Sequence, residues 1–449
     1  MITYERCGTR MATIVLVVTL FGFAGTPLKS KPESTAASLA ALHKEIDARA
    51  ESIMPKVIAW RRDFHQHPEL GNREVRTAGI VAAHLRALGI EVQTGLAHTG
   101  VVGVLKGGKP GPVIAFRADM DALPVTEEVD VPFKSTERSN YNGRDAGVMH
   151  ACGHDVHTAM LMGAAEVLAV VRDKLPGTVK FIFQPAEEGT PAGEDGGAEM
   201  LVHEGVLDNP KVAAIFGLHV FPFAYRSISF RPAGIMAASD TFAITVRGRQ
   251  THAALPWAGI DPIVASAQIV LGLQSIISRQ ADLTTAPAVV TIATIEGGTR
   301  TNIIPDEVRM AGTIRTFDPG MQKEIHARIR KTAESIAAAA GAAATVRITV
   351  GNPVTYNDPV LTQRMTPSLK RVAPDLCFPN AKALTTAEDF SYYQQKVPGL
   401  YFFLGVASPG ADLANVEMNH SPRFAPDEGA MITGVRALAS LAVDYLGGK

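Results

Sequence analysis

Five short stretches of the sequence concentrate acidic residues, histidines and one cysteine. They are Asp119-Met-Asp121, His150-Ala-Cys152-Gly-His154-Asp155, Glu187-Glu188, His219 and His420. Neutral imidazole, thiolate and carboxylate are the donor groups that zinc and its neighbouring transition metals bind. The residue types therefore predict a transition-metal site.

The spacing within two of these stretches supports the same chemistry. Cys152 and His154 are two residues apart, so in an extended chain their side chains share a side and reach one centre. Glu187 and Glu188 are adjacent, so in a strand they would face opposite ways. We expect one of them to bind metal and the other to take a proton from a metal-bound water.

Each of these residues also has an ordinary interpretation. A single buried cysteine is usually a packing residue, and Cys152 is able to pair with Cys377 in an oxidising compartment. His219 follows an apolar run and fits a satisfied core histidine, while Glu187-Glu188 before a glycine fits a solvated turn. The coincidence of five such stretches near strand ends favours the metal site.

The elements that must position these residues alternate between strands and helices. Apolar runs of strand length lie at 113–118, 179–184 and 213–220, and helical patterns lie at about 36–88, 158–171 and 430–446. This alternation predicts an α/β fold with a mostly parallel sheet and helices on both faces. Because the carboxyl ends of parallel strands meet at one edge, the five stretches are expected to converge there.

The middle of the chain has a different pattern. Strands are predicted at 241–247, 288–295, 307–316 and 344–350, and helices at 262–279 and 321–340. This β-α-β-β-α-β order resembles a ferredoxin-like unit of α+β type. We predict that residues 234–353 form a compact domain inserted between two parts of one α/β domain, 37–233 and 354–449.

Composition and charge exclude several classes of protein. The 449 residues carry 43 lysines and arginines against 44 acidic residues, so the formal net charge is −1. No basic surplus is present to bind phosphate backbones, and nucleic acid is not expected as a partner. Three cysteines are too few for a disulfide scaffold.

The amino terminus is typical of a secretory signal. Arg6 and Arg10 precede an uncharged, mostly apolar run over 11–24, which is too short to cross a bilayer as a helix. We predict a signal peptide over 1–25, a linker over 26–36, and a periplasmic or secreted protein. No other segment is expected to be long and apolar enough to span a membrane. An uncleaved anchor, or a start codon assigned too early, is the alternative.

Ten motifs along the chain resemble those of one enzyme family. In order they are RRDFHQHPELG, FRADMDALP, MHACGHDVHTAM, QPAEEG, GLHV, THAALP, GGTRTNIIPD, GTIRTFD, AEDF and NHSP. They resemble the hippurate hydrolase and N-acyl-L-amino-acid amidohydrolase family, which includes auxin-conjugate hydrolases, within the aminoacylase/carboxypeptidase-like metallopeptidases. The resemblance runs from about residue 53 to 446. It implies a zinc-peptidase-like domain with an inserted lid or dimerisation domain, and a homodimer or higher homo-oligomer.

The resemblance also implies roles for individual residues. It implies two divalent metal ions, zinc or manganese with cobalt or nickel as alternatives, held by Cys152, His154, Glu188, His219 and His420. Glu187 matches the general base, and Asp121 matches a carboxylate that orients a ligand imidazole. His252 matches a residue that reaches the substrate carbonyl, and Asn302 and Arg315 match residues that hold the substrate carboxylate. Without the resemblance, His252 would be interpreted as a turn residue and Arg315 as a surface ion pair.

The sequence departs from the family pattern at one place. Thr386 and Ala387 stand where a serine or glycine usually precedes the Glu-Asp pair, so the pocket wall is expected to differ there.

The expected function is a metal-dependent amidohydrolase that splits a small-molecule N-acyl-amino acid of the hippurate type into a carboxylic acid and a free amino acid. A metallo-dipeptidase or aminoacylase of the same fold is the alternative within the enzymes. A metal-binding protein that has lost catalysis is the alternative outside them. Glu187 beside a complete ligand set argues against that last interpretation.

Overall fold

The computed structural model describes residues 33–448, so the predicted signal peptide lies outside the described residues. Its helices are α1 (Glu33–Gln66), α2 (Val75–Ala87), α3 (His154–Val170), α4 (Gly197–His203), α5 (Pro262–Ser275), α6 (Pro319–Ala339), α7 (Pro359–Val372), α8 (Ser391–Gln394) and α9 (Met431–Leu446). A π-helical turn, Ile276–Gln280, extends α5.

The strands fall into one large sheet, one small sheet and three pairs. They are β1 (Glu91–Leu96), β2 (Gly100–Lys106), β3 (Lys109–Asp119), β4 (Arg138–Tyr141), β5 (Arg144–Gly147), β6 (Pro176–Gln184), β7 (Ala214–Phe221), β8 (Ile228–Ser229), β9 (Ala233–Met236), β10 (Ala238–Arg247), β11 (Thr251–His252), β12 (Ala288–Gly297), β13 (Ile303–Ile304), β14 (Glu307–Thr316), β15 (Ala343–Thr349), β16 (Thr355–Asn357), β17 (Cys377–Phe378) and β18 (Gly399–Gly405).

The large sheet has eight strands in the order β1-β2-β6-β3-β7-β18-β8-β17. The four central strands, β6, β3, β7 and β18, are parallel, and β1 and β2 form an antiparallel edge. Helices α1, α3 and α9 pack against one another, and α3 and α9 contact the central strands. Almost every residue of α3 is buried, as expected for an apolar helix packed on all sides. The predicted α/β class is confirmed.

The small sheet has four antiparallel strands in the order β12-β14-β10-β15. Burial alternates along β10 and β14, so one face of the sheet packs on a core. Helices α5 and α6 cover that face and share a second hydrophobic core with it. The predicted β-α-β-β-α-β order is confirmed.

The chain enters the small sheet after β9 and leaves it before β16. These two strands pair antiparallel, with Thr355 opposite Met236, so the two crossings lie side by side. The predicted domain boundaries at residues 234 and 353 fall beside these crossings and stay a prediction.

Three expectations about the elements were wrong in detail. The helical pattern over 36–88 is broken at 67–74, where Pro68 and Gly71 separate α1 from α2. His219 lies inside β7 rather than after it. Two helices, Pro262–Gln280 and Glu428–Leu446, are long and apolar enough to cross a membrane, although none was expected. The second is 89% buried inside the protein, as a core helix is, and such counts are weak evidence for a membrane span.

Candidate metal centre

Three neighbouring strands of the large sheet bring acidic residues and a histidine to one edge. Asp119 is the last residue of β3, Glu187 follows the end of β6, and His219 lies near the end of β7. Cys152 precedes α3, whose first residue is His154. The sheet order therefore produces the predicted convergence.

His420 reaches this edge from a late loop of the chain. Its backbone has a φ of 72°, in the left-handed region that residues other than glycine rarely adopt. Its backbone N–H donates to the carbonyl oxygen of Ala151 at 2.8 Å. This hydrogen bond fixes His420 beside the segment that carries Cys152.

The five predicted ligands face one another. The Cys152 Sγ atom lies 3.3 Å from His219 Nε2 and 3.3 Å from His420 Nε2. Glu188 Oε1 lies 3.0 Å from His420 Nε2 and 3.9 Å from His154 Nε2. Cys152 belongs to two groups of three close donors, one with His154 and His219 and the other with Glu188 and His420. Two such groups give room for two cations.

The ring orientations of two histidines leave one nitrogen free for a metal. His154 Nδ1 donates to the backbone oxygen of Asp121 at 2.8 Å and lies 3.2 Å from Asp121 Oδ1. His219 Nδ1 donates to the carbonyl oxygen of Val220 at 2.8 Å. The buried Nε2 of His154 has no hydrogen-bond partner among the described residues. A metal ion is the missing partner that this geometry fits.

The electrostatics of the site also require a cation. Burial raises the pKa of the Cys152 thiol well above its usual value, and the carboxylates of Glu188 and Glu187 raise it further. Burial lowers the pKa of His154, but the carboxylates of Asp119 and Asp121 outweigh it and raise that pKa to about 10. The surrounding carboxylates thus draw a proton onto His154, and a bound divalent cation would take the place of that proton.

Glu187 lies beside the five predicted ligands and itself belongs to two further groups of close donors, one with His154 and Glu188 and one with Glu388 and Asp389. Its side chain is only 9% exposed, and Oε2 lies 4.0 Å from His154 Nε2. Burial and the nearby carboxylates of Glu388, Glu188 and Asp389 raise the pKa of Glu187 well above its usual value. A buried carboxyl group with a raised pKa is suited to accepting a proton.

A buried arginine under the site was not predicted from the sequence. Arg117 Nη1 donates to Asp119 Oδ2 at 2.5 Å, and Nη2 lies 2.9 Å from Glu388 Oε1 and 2.7 Å from Asp389 Oδ1. Its charge compensates carboxylates that surround Glu187. The motifs FRADMD and AEDF contain all of these residues, but only their pairing in the fold shows the function of Arg117.

Two further polar residues hold the ligand-bearing segments in place. His157 Nδ1 donates to Asp119 Oδ1 at 2.6 Å, and His157 Nε2 accepts from the Val220 N–H at 2.8 Å. Asn419 Nδ2 donates to the carbonyl oxygens of Cys152 at 2.9 Å and Val220 at 3.0 Å. Asn419 therefore joins the segments of Cys152, His219 and His420.

The structure also distinguishes a free Cys152 thiol from a disulfide between Cys152 and Cys377. Cys152 is a buried free thiol, and Cys377 is a free thiol in β17. The disulfide between them, which the sequence left open, is not formed in the described residues.

A cavity of about 320 Å³ opens on the donors, and we call it the metal-side cavity. Four of the predicted ligands and Glu187 line it, opposite the apolar side chains of Phe221, Met236 and Met418. The predicted substrate-binding residues of the small sheet region, His252, Asn302 and Arg315, do not line it.

The structure brings two of those three residues together. His252 lies in β11 opposite Ile303 of β13, and the Ala253 N–H donates to the Asn302 carbonyl oxygen at 3.0 Å. Arg315 lies in β14, between Ser239 and Val289. Their roles toward a substrate stay predictions.

The sequence model of Peptidase family M20/M25/M40 matches residues 115–444. Thermostable carboxypeptidase 2 of Saccharolobus solfataricus is 40% identical over 393 residues, covering 87% of this chain and 95% of that protein. N-acetylcysteine deacetylase of Bacillus subtilis is 38% identical over 393 residues, covering 87% of this chain and 97% of that protein.

A solved structure agrees with these similarities. The chain resembles the YXEP protein of Bacillus subtilis, described as a dinuclear metal-binding peptidase, with a TM-score of 0.75 and 36% identity. The match covers 88% of this chain and 99% of that structure.

Proposed function

The chain belongs to Peptidase family M20/M25/M40, and from this premise we propose that it cleaves N-acyl-amino acids of the hippurate type. It is a metal-dependent hydrolase of amide bonds, a property supported by its family and its donor set. The products would be a carboxylic acid and a free amino acid.

The observation that carries the proposal is the position of Glu187. Its nearly buried carboxyl group lies 4.0 Å from His154 Nε2, beside five other donors that are able to hold two cations. Because those five donors suffice for two cations, the carboxyl group of Glu187 is available to accept a proton. Glu187 next to the donor set therefore favours catalysis over metal binding alone.

The chemistry follows from these positions. Divalent cations held by Cys152, His154, Glu188, His219 and His420 would polarise the substrate carbonyl and lower the pKa of water at the site toward ~7. Glu187 removes the proton from the attacking water and then hands it to the departing amine. His252 contacts the substrate carbonyl, and Asn302 and Arg315 hold the substrate carboxylate. Zinc or manganese is the proposed metal, because thiolate and imidazole donors suit zinc and carboxylate donors suit manganese.

A dipeptidase is the second candidate, since a cavity of about 500 Å³ behind Glu187 is lined by acidic residues. A free α-ammonium group would need such a lining. However, Glu194 is paired with Arg73 at 2.6 Å, and Asp389 with Arg117 at 2.7 Å. Because arginines already neutralise two of these carboxylates, the cavity binds an ammonium group more weakly than its acidic composition indicates. N-acyl substrates are therefore favoured over dipeptides.

The test is the release of free amino acid from a panel of N-acyl-amino acids and dipeptides. Protein that begins after the predicted signal is assayed with added zinc or manganese and with a chelator. Release from benzoylglycine and acetylated amino acids that the chelator abolishes supports the proposal. Cleavage of dipeptides alone replaces it with the dipeptidase, and cleavage of neither class replaces it with the metal-binding protein.

We further propose that the protein is exported and forms homodimers through the small sheet domain. Large apolar side chains are exposed there, with Trp257 at 78% and Leu271 at 72%. Light scattering of the purified protein tests the dimer, and a mass corresponding to a monomer at micromolar concentration overturns it. Fractionation of the source cells tests export.

A further inference from the structure

Three cavities meet at the turn formed by residues 186–189. Glu187 lines both the metal-side cavity and the cavity of about 500 Å³ described above, which we call the acidic cavity. Glu188 lines both the metal-side cavity and a third cavity of about 280 Å³, which we call the side cavity. A substrate whose amide bond lies at the metal centre has these two neighbouring spaces for its remaining groups.

The side cavity has an apolar floor and a polar rim. The floor consists of buried and half-buried small and aliphatic side chains, and Ala192 lines the cavity from an exposed position; the floor residues are Leu70, Ala122, Leu123, Pro124 and Pro191. Asn140, Tyr141 and Asn142 form the rim. Its volume is just below the ~300 Å³ at which pockets for drug-sized ligands begin, so one ring or a short chain fits it.

The charges that line the side cavity do not favour a charged occupant. Arg73 is one of the lining residues, but its guanidinium is paired with Glu194 at 2.6 Å. Glu188 is the other, and its carboxylate faces His420. Burying an unpaired charge is costly, so an uncharged apolar group is the occupant that this lining fits.

One residue couples the side cavity to the metal donors. Asp121 Oδ1 lies 3.2 Å from His154 Nδ1, and Asp121 Oδ2 accepts from the Glu188 N–H at 2.9 Å. The three residues that follow Asp121 in the chain form part of the cavity floor. A group bound on this floor therefore lies next to the segment that orients two ligands.

The rim is preformed by a tight hairpin. Strands β4 and β5 pair with Tyr141 opposite Arg144, and the two residues between them, Asn142 and Gly143, have φ values of 51° and 78°. Two central residues with positive φ are typical of a type I′ turn, for which Asn-Gly is the favoured sequence. The hairpin places Tyr141, which is 41% exposed, at the mouth of the cavity.

We propose that the side cavity binds the acyl group of the substrate and that this group is an uncharged aryl or short alkyl chain. The inference rests on the proposed function and assigns the place where the acyl group of its substrate binds. The acidic cavity suits such a group less, because Asp195 and Glu199 also line it and form no ion pair within the described residues. Residues of the side cavity thus determine acyl specificity.

The test narrows the cavity and compares two acyl groups on one amino acid. In the full-length, metal-loaded enzyme, Ala192→Phe places a ring in the cavity from an exposed turn position. The ratio of kcat/KM for benzoylglycine to that for acetylglycine is expected to fall at least tenfold. Ala414→Phe, at an exposed turn outside the three cavities, is the matched control and keeps the native ratio.

A second variant keeps the proposal testable if Ala192→Phe does not fold. Leu123→Ala enlarges the floor and is expected to raise kcat/KM for longer acyl chains by about fourfold for each added methylene that it accommodates. A benzoyl-to-acetyl ratio within twofold of the native value in Ala192→Phe overturns the proposal. The proposal is also overturned if Ala192→Phe changes the relative kcat/KM of substrates that share one acyl group and differ only in their amino acid. Failure of the proposed function is distinguishable, because the native enzyme would then cleave neither substrate.

Discussion

The carboxylate of Asp121 accepts the backbone N–H of Glu188 at 2.9 Å with one oxygen, while its other oxygen lies 3.2 Å from His154 Nδ1. Both neighbours are donors, so only a group with two acceptor atoms satisfies them. One side chain thus fixes the orientation of two predicted ligands that are far apart in sequence.

Asp121→Asn should therefore weaken metal binding. The asparagine NH₂ group would face either the Glu188 N–H or His154 Nδ1, and two donors in contact repel. We expect metal affinity to fall about 10- to 100-fold, measured by metal content at graded chelator concentrations. Asp63→Asn, at a half-exposed ion pair with Arg76, is the control. Equal affinity in both variants would show that Asp121 does not orient the ligands.

Glu187→Gln should abolish most turnover without loss of metal. The amide cannot accept the proton of the attacking water, and general-base catalysis contributes about 10²- to 10⁴-fold. The measurement is kcat together with the metal content of the same preparation. Glu199→Gln, in the exposed wall of the cavity behind Glu187, serves as the control. Near-normal turnover in Glu187→Gln would rule out the assignment of this residue as the base.

Asn419→Ala should loosen three ligand-bearing segments at once. The Cys152 carbonyl oxygen would lose its Asn419 donor, which costs about 1–3 kcal/mol for a buried group left unpaired, while the Val220 carbonyl oxygen would keep only the donor from His219. We expect a lower thermal unfolding temperature and faster metal loss to a chelator. A variant that unfolds at a lower temperature but releases metal at the native rate would limit Asn419 to a structural role.

The small sheet domain should lose stability in acid through Asp240. This buried carboxylate accepts from His326 Nε2 at 2.7 Å and Gln322 Nε2 at 2.8 Å, and it accepts weakly from the Gly351 N–H at 3.2 Å. Burial opposes ionisation, but these hydrogen bonds outweigh it and lower the pKa of Asp240. The stabilisation is therefore complete above the unfolded-state pKa of about 3.9 and disappears as the pH falls through the lower folded-state pKa.

Asp240→Asn tests this dependence. The gap in unfolding temperature between the native protein and the variant should be largest near pH 7 and should shrink below about pH 4. Thermal unfolding followed by circular dichroism between pH 3 and 7 measures it. A gap that stays constant over this range would contradict the depressed pKa.

The sequence predicted the parts of the fold that depend on local pattern. The strands that became β3, β6 and β7 were apolar runs bounded by polar residues, and the five predicted ligands were found by type and by motif. β18, a central strand of seven buried residues, was not identified. A short buried apolar run does not differ by periodicity from a helix segment.

The interactions beneath the site were beyond prediction for a different reason. Arg117, Gln184 and Asp389 are brought together by the sheet, and the Arg117 and Asp389 side chains are 272 residues apart in the chain. A charged side chain inside a strand is expected at the surface, because its burial is costly without partners. Only the tertiary structure supplies the partners that make Arg117 a core residue.

The separation of the donors along the chain has a consequence for biosynthesis. Cys152 and His420 touch within the centre but are 268 residues apart in sequence. A growing chain must therefore be synthesised past residue 420 before the last donor exists, and contacts of such long range form late in folding. Metal acquisition thus becomes a late event: fragments that end before residue 420 lack a donor, and the metal would distinguish chains that contain His420 from shorter, interrupted ones.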